Sequence, residues 1–596
     1  MNPLDLAVIG NCSIASIVNP VGRHVWFCFP RLDADPVFSA LVDGDAPEWG
    51  YMEVVLARQA RAEQRYLHNT AVLETVLTDD KGGGVRITDF APRFRRFGRI
   101  FRPPMLVRRI EPVGGHPRIT VRIRPHFGYG AERPERRTGS NHLRFVASGM
   151  SIRATTDLAV SYLAEEVEFL LDRPGHILLG PDETIAEAPH AVTRDFLEDT
   201  TSYWQDWTRY LSVPFEWQQA VIRAAITLKM CAFEETGGIV AALTTSIPEA
   251  PGTERNWDYR FCWLRDAFFT VHALNRLGAT KTMEEYVRYL LNVVLYEEDR
   301  RPAPVYPIVP GTPMAEWSAG KLKGFLGMGP VRVGNAAVDQ IQNDIYGSVI
   351  LAANQMFYDQ RLPAPGGVEL YRQLERVGKI AIEVAFEPDA GLWEYRGRVH
   401  IHTFSSAMCW AAVNGLRRVA KRLGLEEERQ RWTEAAEKLR AEILERAWSP
   451  ERNSFVASLD GGGLDASLLL LPEIGIVPAT DPRFLGTLQA IERGLLHDGL
   501  VYRYDTADDF GLPETAFLVC TLWYVDALAA AGQRDKARQV FERVLAMRNH
   551  VGLLSEDVDP RIGQLWGNFP QTYSLVGLIV SAMRLSRTWE DGLWHV

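Results

Sequence analysis

Cysteine is scarce: six in 596 residues, at Cys12, Cys28, Cys231, Cys262, Cys409 and Cys520, with no CxxC pair. That excludes a disulfide scaffold. The apolar neighbours in Phe261-Cys262-Trp263 and Met408-Cys409-Trp410 predict buried free thiols in a reducing compartment. Long apolar runs are missing too. No stretch of about 18 uncharged apolar residues exists, so nothing reads as a membrane span. The opening residues lack a basic stretch, and Asp5 interrupts their only apolar run. They do not read as a signal peptide, and the expected location is the cytoplasm. Cationic excess is absent: 65 Lys and Arg face 75 Asp and Glu, a net charge of -10. Such a balance is poor bait for DNA, RNA or an anionic membrane. GxGxxG, P-loop, HExxH and GxSxG motifs are all missing, which argues against a redox enzyme, an NTPase, a zinc protease or an α/β-hydrolase.

What is present is ample apolar material, 46% of residues, enough for a large core and more than one domain. The first 190 residues alternate with period two. Ile119-Thr120-Val121-Arg122-Ile123-Arg124 is the clearest case, and Ala71 to Asp79 turns at Lys81-Gly82-Gly83-Gly84 and re-emerges at Val85. Short strands punctuated by Gly, Pro and Asp predict a β-sandwich over 1–190. A linker helix is expected over 191–214.

From Phe215 the period becomes helical, and the helices come in pairs. Phe517 to Ala531 is apolar nearly all round, whereas Ala537, Val540, Phe541, Val544 and Leu545 mark one stripe. Phe404 to Val413 precedes the one-faced Trp432, Ala436, Leu439 and Ile443. Ala336 to Met356 precedes Val368 to Ala385. Thr282 with Glu285 reads as a capping box. A helix apolar on all sides must be surrounded, and a one-faced helix covers it. Repetition over 215–596 predicts an (α/α)6 toroid of six inner and six outer helices, with an irregular bundle as the alternative. Its loops would form a bowl at one end.

Four loops mix flat aromatic faces with charge: Arg255 to Asp266, Gly391 to Gly397, Tyr502 to Asp505 leading to Pro513-Glu514-Thr515, and Leu554 to Pro560. Sugars need this pairing, because C–H faces stack on rings and hydroxyls take charged hydrogen bonds. Two carboxylates could then cleave a glycosidic bond, one protonated and one ionised. Glu394 lies between Trp393 and Tyr395, an apolar wall that would suit an acid. Glu556 has Asp557 and Asp559 beside it, a polar loop that would suit a base.

These segments resemble glycoside hydrolase family 15, the glucoamylases and bacterial trehalases, over nearly the whole chain. Leu6 to Cys12 with Trp26 to Asp33 is similar to the opening of the family's bacterial N-terminal domain. Asn256-Trp257-Asp258-Tyr259-Arg260 with Trp263-Leu264-Arg265-Asp266 is similar to its first catalytic signature, Gly391-Leu392-Trp393-Glu394 to its acid loop, and Gly567-Asn568-Phe569-Pro570-Gln571 to the segment after its base loop. The resemblance implies that Glu394 is the general acid and Glu556 the general base. It implies that Arg265 and Asp266 bind the terminal glucose, with Trp263, Leu392 and Trp393 in the pocket wall. Arg503 would sit near the cleavage point and Glu514 among the sugar-binding residues. The implied reaction is an inverting, exo-acting hydrolysis that releases β-glucose. Tyr395 stands where fungal members have a second Glu, and Gly327 to Asn335 lacks their stacking Trp. A short α-glucoside is therefore expected, trehalose first, with maltose, isomaltose or short maltodextrins as the glucoamylase alternative. An inverting disaccharide phosphorylase and a non-catalytic sugar-binding protein are the other readings. No cofactor or metal is expected. Phosphate or Mg²⁺ dependence and any homo-oligomer are not legible. Arg93 to Arg109 holds seven arginines with interleaved Phe, and packed arginine stems explain it better than a nucleic-acid patch.

Overall fold

The computed structural model describes residues 2–295 and 301–594. The period-two segments are antiparallel strands of two sheets. One sheet runs in the order Ala7–Gly10, Ala15–Val18, His24–Cys28, Tyr51–Leu56, Arg118–Arg124 and Phe169–Leu170, with Pro36–Phe38 on the side of His24–Cys28. The second has eight strands, from Glu135–Thr138 at one edge to Gln59–Tyr66 at the other. Ile119, Val121 and Ile123 face Leu56, Val54 and Met52 across the ladder. They enter a core between the sheets with Phe27, Phe38, Leu73 and Ile177. Burying one side chain in two fixes the register, since a slip by one residue would turn these apolar groups outward. The arginine-rich segment packs inside in part, with Arg95, Arg96 and Arg99 exposed. Arg108 is buried against Asp89, and Arg93 against Glu234. Phe94 and Phe101 pack on Phe196.

A long helix, Pro189–Arg209, leads from the strands to the helical region. Helices Ala267–Arg276, Ile345–Ala353, Thr403–Leu423, Leu518–Ala530 and Thr572–Leu585 pack each on the next. The short turns Ala466–Leu470 and Leu471–Ile474 fill the place between the third and fourth, and the last helix returns to the first. Outside this circuit, Thr280–Leu295, Val368–Val384, Glu426–Arg446, Arg534–Ala546 and Gln218–Met230 each cover an inner helix, and Pro482–Gly494 covers the short turns. Burial explains the division: Thr572–Leu585 is buried over almost its whole length, whereas Glu426–Arg446 buries only Trp432, Ala436, Leu439, Ile443 and Leu444. The expected capping box fails. The helix starts at Thr280, after Gly278 at φ 74° makes the turn, and the Thr282 hydroxyl accepts a hydrogen bond from Lys229 Nζ at 3.3 Å. No described helix is long and apolar enough to cross a membrane.

The two regions share a core. Leu4, Leu6, Val8 and Trp26 belong to the same apolar cluster as Ala224, Phe233 and Ile247. Asn549 Nδ2 donates to the carbonyls of Leu4 and Leu6 at 2.9 and 2.7 Å.

Candidate active site

The inner helices begin on one side of the ring, and their N-caps are functional-looking residues. Asp266 caps Ala267–Arg276, Asp344 caps Ile345–Ala353, Phe517 caps Leu518–Ala530 and Gln571 caps Thr572–Leu585. Helix N-termini carry partial positive charge, so this floor favours carboxylates and oxygen-rich ligands. Above it lies one cavity walled by all four aromatic and charged loops: Trp263 and Arg265 from the first, Leu392 to Arg396 from the second, Arg503 and Tyr504 from the third and Glu556 from the fourth.

Glu394 sits at a tight turn after Gly391, with φ of 59°. A non-glycine residue held in the left-handed region is strained and persists only where its surroundings fix it. Gln340 Nε2 donates to its carbonyl at 3.2 Å. Its carboxylate does not face an apolar wall, as its sequence neighbours suggested. Glu394 Oε1 accepts from Trp263 Nε1 at 2.5 Å and from Arg265 Nη2 at 2.9 Å. Trp393 turns away and donates to Asp465 at 3.0 Å. Arg265 also donates to Gln342 at 2.7 Å.

Glu556 has Asp557 beside it as expected, but it is buried. It is 1% exposed, with Glu249 also beside it; the three offer carboxylate oxygens within 4.8 Å of one another. Burial, then the charges of Glu249 and Asp557, raise its pKa well above the ordinary value. Arg503 bridges the other two carboxylates, reaching Glu249 at 2.8 Å and Asp557 at 3.2 Å. Glu556 instead accepts from the Tyr259 hydroxyl at 2.7 Å. Arg255 also approaches Glu249, at 3.9 Å, so the guanidiniums pair with the neighbours of Glu556. Among the described residues this is the one carboxylate cluster close enough to share a divalent cation, and Arg503 already donates into it. Asp266 also lines the cavity, its pKa pushed up to about 7 by burial.

Glu514 is not part of the site. Its side chain is exposed and lies outside the cavity, and only its backbone carbonyl is used, accepting from the Tyr502 hydroxyl at 3.2 Å. Glu249, Tyr259 and Asp508 also line the cavity and were missed. Tyr259 lies inside a loop singled out for its aromatics. Glu249, in Pro248-Glu249-Ala250, has no local signal at all. Gly327 to Asn335 contains no Trp, yet the cavity is not short of rings: Trp257 and Phe510 meet edge to face at 5.6 Å, and both line it.

A family model described as glycosyl hydrolases family 15 matches residues 217–583. The chain belongs to this family. A second model, the trehalase-like N-terminal region, matches 3–167. Its relatives include a protein named trehalase from Thermoplasma volcanium, 32% identical over 97% of this chain and 92% of its own length. Another so named, from Mycobacterium tuberculosis, is 30% identical over 98% of this chain and 90% of its own. A crystal structure of a bacterial glucoamylase complexed with acarbose matches with a TM-score of 0.70 and 14% identity, over 98% of this chain and 94% of the other. That likeness shows a shared fold. The chain is thus a glycoside hydrolase, with a sheet-rich N-terminal region ahead of a helical catalytic one.

Proposed function

We propose that this family 15 enzyme hydrolyses the α-linked disaccharide trehalose with inversion at the anomeric carbon, Glu394 acting as general acid and Glu556 as general base. The observation that carries the roles is the presence of both glutamates on the walls of one cavity, each held by a different partner set from the same loop. In this reading Glu394 protonates the glycosidic oxygen as the C–O bond breaks. Glu556 takes a proton from a water that attacks the anomeric carbon from the opposite face, giving β-glucose. A base must be ionised to act, but a raised pKa strengthens its hold on the proton it takes. Arg265, Asp266, Trp263, Leu392 and Trp393 form the pocket for the terminal glucose, and Arg503 orders the carboxylates around the base.

Three further points support the reading. Both trehalase relatives match over at least nine-tenths of their length. A carboxylate placed to take a proton, Glu556, suits a water nucleophile, whereas phosphate would need no such base. The closed circuit of six inner positions under six covering helices is what an (α/α)6 toroid requires, and we divide the chain into a β-sandwich over 1–190, a linker over 191–214 and the toroid over 215–596. Trp257 and Phe510 favour a second reading, glucoamylase action on maltodextrins, since each added ring contact could hold a further sugar. Product analysis on trehalose, maltose, isomaltose and maltoheptaose, with and without phosphate, decides. Glucose from trehalose without phosphate is expected. Glucose 1-phosphate would mean phosphorolysis, and a clear preference for maltoheptaose would mean a glucoamylase.

A further inference from the structure

The sheet-rich region reaches both candidate catalytic glutamates through one buried arginine. Arg260 is 1% exposed. It pairs with Asp258 through Nε at 2.9 Å and Nη2 at 2.7 Å, and its remaining donors leave the helical region. Nη1 donates to the Ala34 carbonyl at 2.8 Å, and Nη2 to the Tyr129 hydroxyl at 2.9 Å. Trp26 lies under the guanidinium at 5.7 Å, and its indole donates to the Leu243 carbonyl at 2.8 Å.

Arg260 occupies the middle of the loop that holds the glutamates. Tyr259, its neighbour, donates to Glu556; Trp263, three residues on, donates to Glu394. Asp258 pins a second cavity loop, since Gly334 N donates to its carboxylate at 3.2 Å and Asn335 Nδ2 to its carbonyl at 3.1 Å. The contact from Tyr129 is costly to make. Its φ is 51°, a conformation that a bulky side chain rarely adopts. Asp35 holds this turn by accepting from Gly128 N at 2.6 Å and Tyr129 N at 2.9 Å.

We propose that Tyr129, Asp35 and Trp26 of the sheet-rich region are positioning residues for hydrolysis, acting through Arg260 on the loop that carries Tyr259 and Trp263. The inference rests on the roles proposed above for Glu394 and Glu556. Simple adhesion between the two regions would make the same contacts but would affect stability alone.

Tyr129→Phe removes one hydroxyl and keeps the ring, and Asp35→Asn loosens the strained turn from behind. With turnover measured well below each variant's thermal transition, both should lower kcat about tenfold with KM within about twofold, since misplacing catalytic groups from a distance costs up to ~10²-fold. Gln64→Ala is the control. Gln64 also bridges the two regions, bonding His550 at 2.8 Å, but it touches no cavity loop, and kcat should not change. If Tyr129→Phe and Asp35→Asn keep kcat within twofold while Tm falls or holds, the inference is wrong. It is also wrong if Gln64→Ala lowers kcat as much as they do. Glu394→Gln and Glu556→Gln separate the two failures: inactive glutamate variants beside an active Tyr129→Phe overturn this inference alone, and active glutamate variants overturn the assigned roles and the inference with them.

Discussion

Glu556 and Glu394 keep different company. Glu394 is met by an indole and a guanidinium, Glu556 by two carboxylates and a phenol. Glu394→Gln should lower kcat by at least about a hundredfold, the low end of ~10²–10⁴ for acid assistance, with binding largely kept; steady-state kinetics on trehalose, whose sugar leaving group needs protonation, checks it. The pH profile follows from the neighbours of Glu556. Its pKa is raised, so the ionised base is lost, and kcat/KM falls, already above the ordinary carboxylate range as pH decreases. Glu249→Gln removes one of the repelling charges, lowers that pKa and should move the acid limb to lower pH. A limb unmoved in Glu249→Gln would detach it from Glu556. Glu514→Ala should leave kcat/KM within about twofold, since its side chain faces solvent. Both glutamates stand out in their loops, and both line the cavity. Their surroundings were not legible in the sequence, because the groups that set each charge state come from other loops: Arg265 reaches Glu394 across 129 residues, and Tyr259 reaches Glu556 across 297.

Helix pairs were legible because burial writes itself into composition. Leu518–Ala530 buries almost every side chain, and Arg534–Ala546 buries only Ala537, Phe541, Val544 and Leu545. The start of Thr280–Leu295 was not, since tertiary packing put Thr282 to work with Lys229 instead of at a cap. Closest approach between inner helices is equally invisible in the sequence. A Cβ at Gly347 would lie 2.2 Å from the Met408 carbonyl oxygen, so Ile345–Ala353 and Thr403–Leu423 touch backbone to backbone there. Gly347→Ala should destabilise the enzyme by about 1–3 kcal/mol through overpacking. Thermal unfolding measures it, and an unchanged or raised Tm would show that the helices can part without cost.

At the scale of the molecule, the sheet-rich region is not an appendage. Its first strands complete the core under Gln218–Met230, and its Tyr129 and Trp26 grip the signature loop. A chain shortened to begin at 191 would expose the faces that Leu4, Leu6 and Val8 cover, so it should be insoluble or lack a cooperative thermal transition. Soluble, active protein would contradict that. The last strand of the sheet-rich region ends at Pro181 and the helix Pro189–Arg209 follows, close to the change of period in the sequence. The core that the two regions share was not legible there, because strands near residue 8 and helices near 225 meet only in three dimensions. The account's central claim, inverting hydrolysis of trehalose between Glu394 and Glu556, is tested most directly by proton NMR of the first glucose formed from trehalose, recorded faster than mutarotation. Inversion at one anomeric carbon yields β-glucose while the leaving sugar keeps its α hydroxyl, so α- and β-glucose should appear in equal amounts from the first time point. Initial release of α-glucose alone would mean retention and would contradict the account.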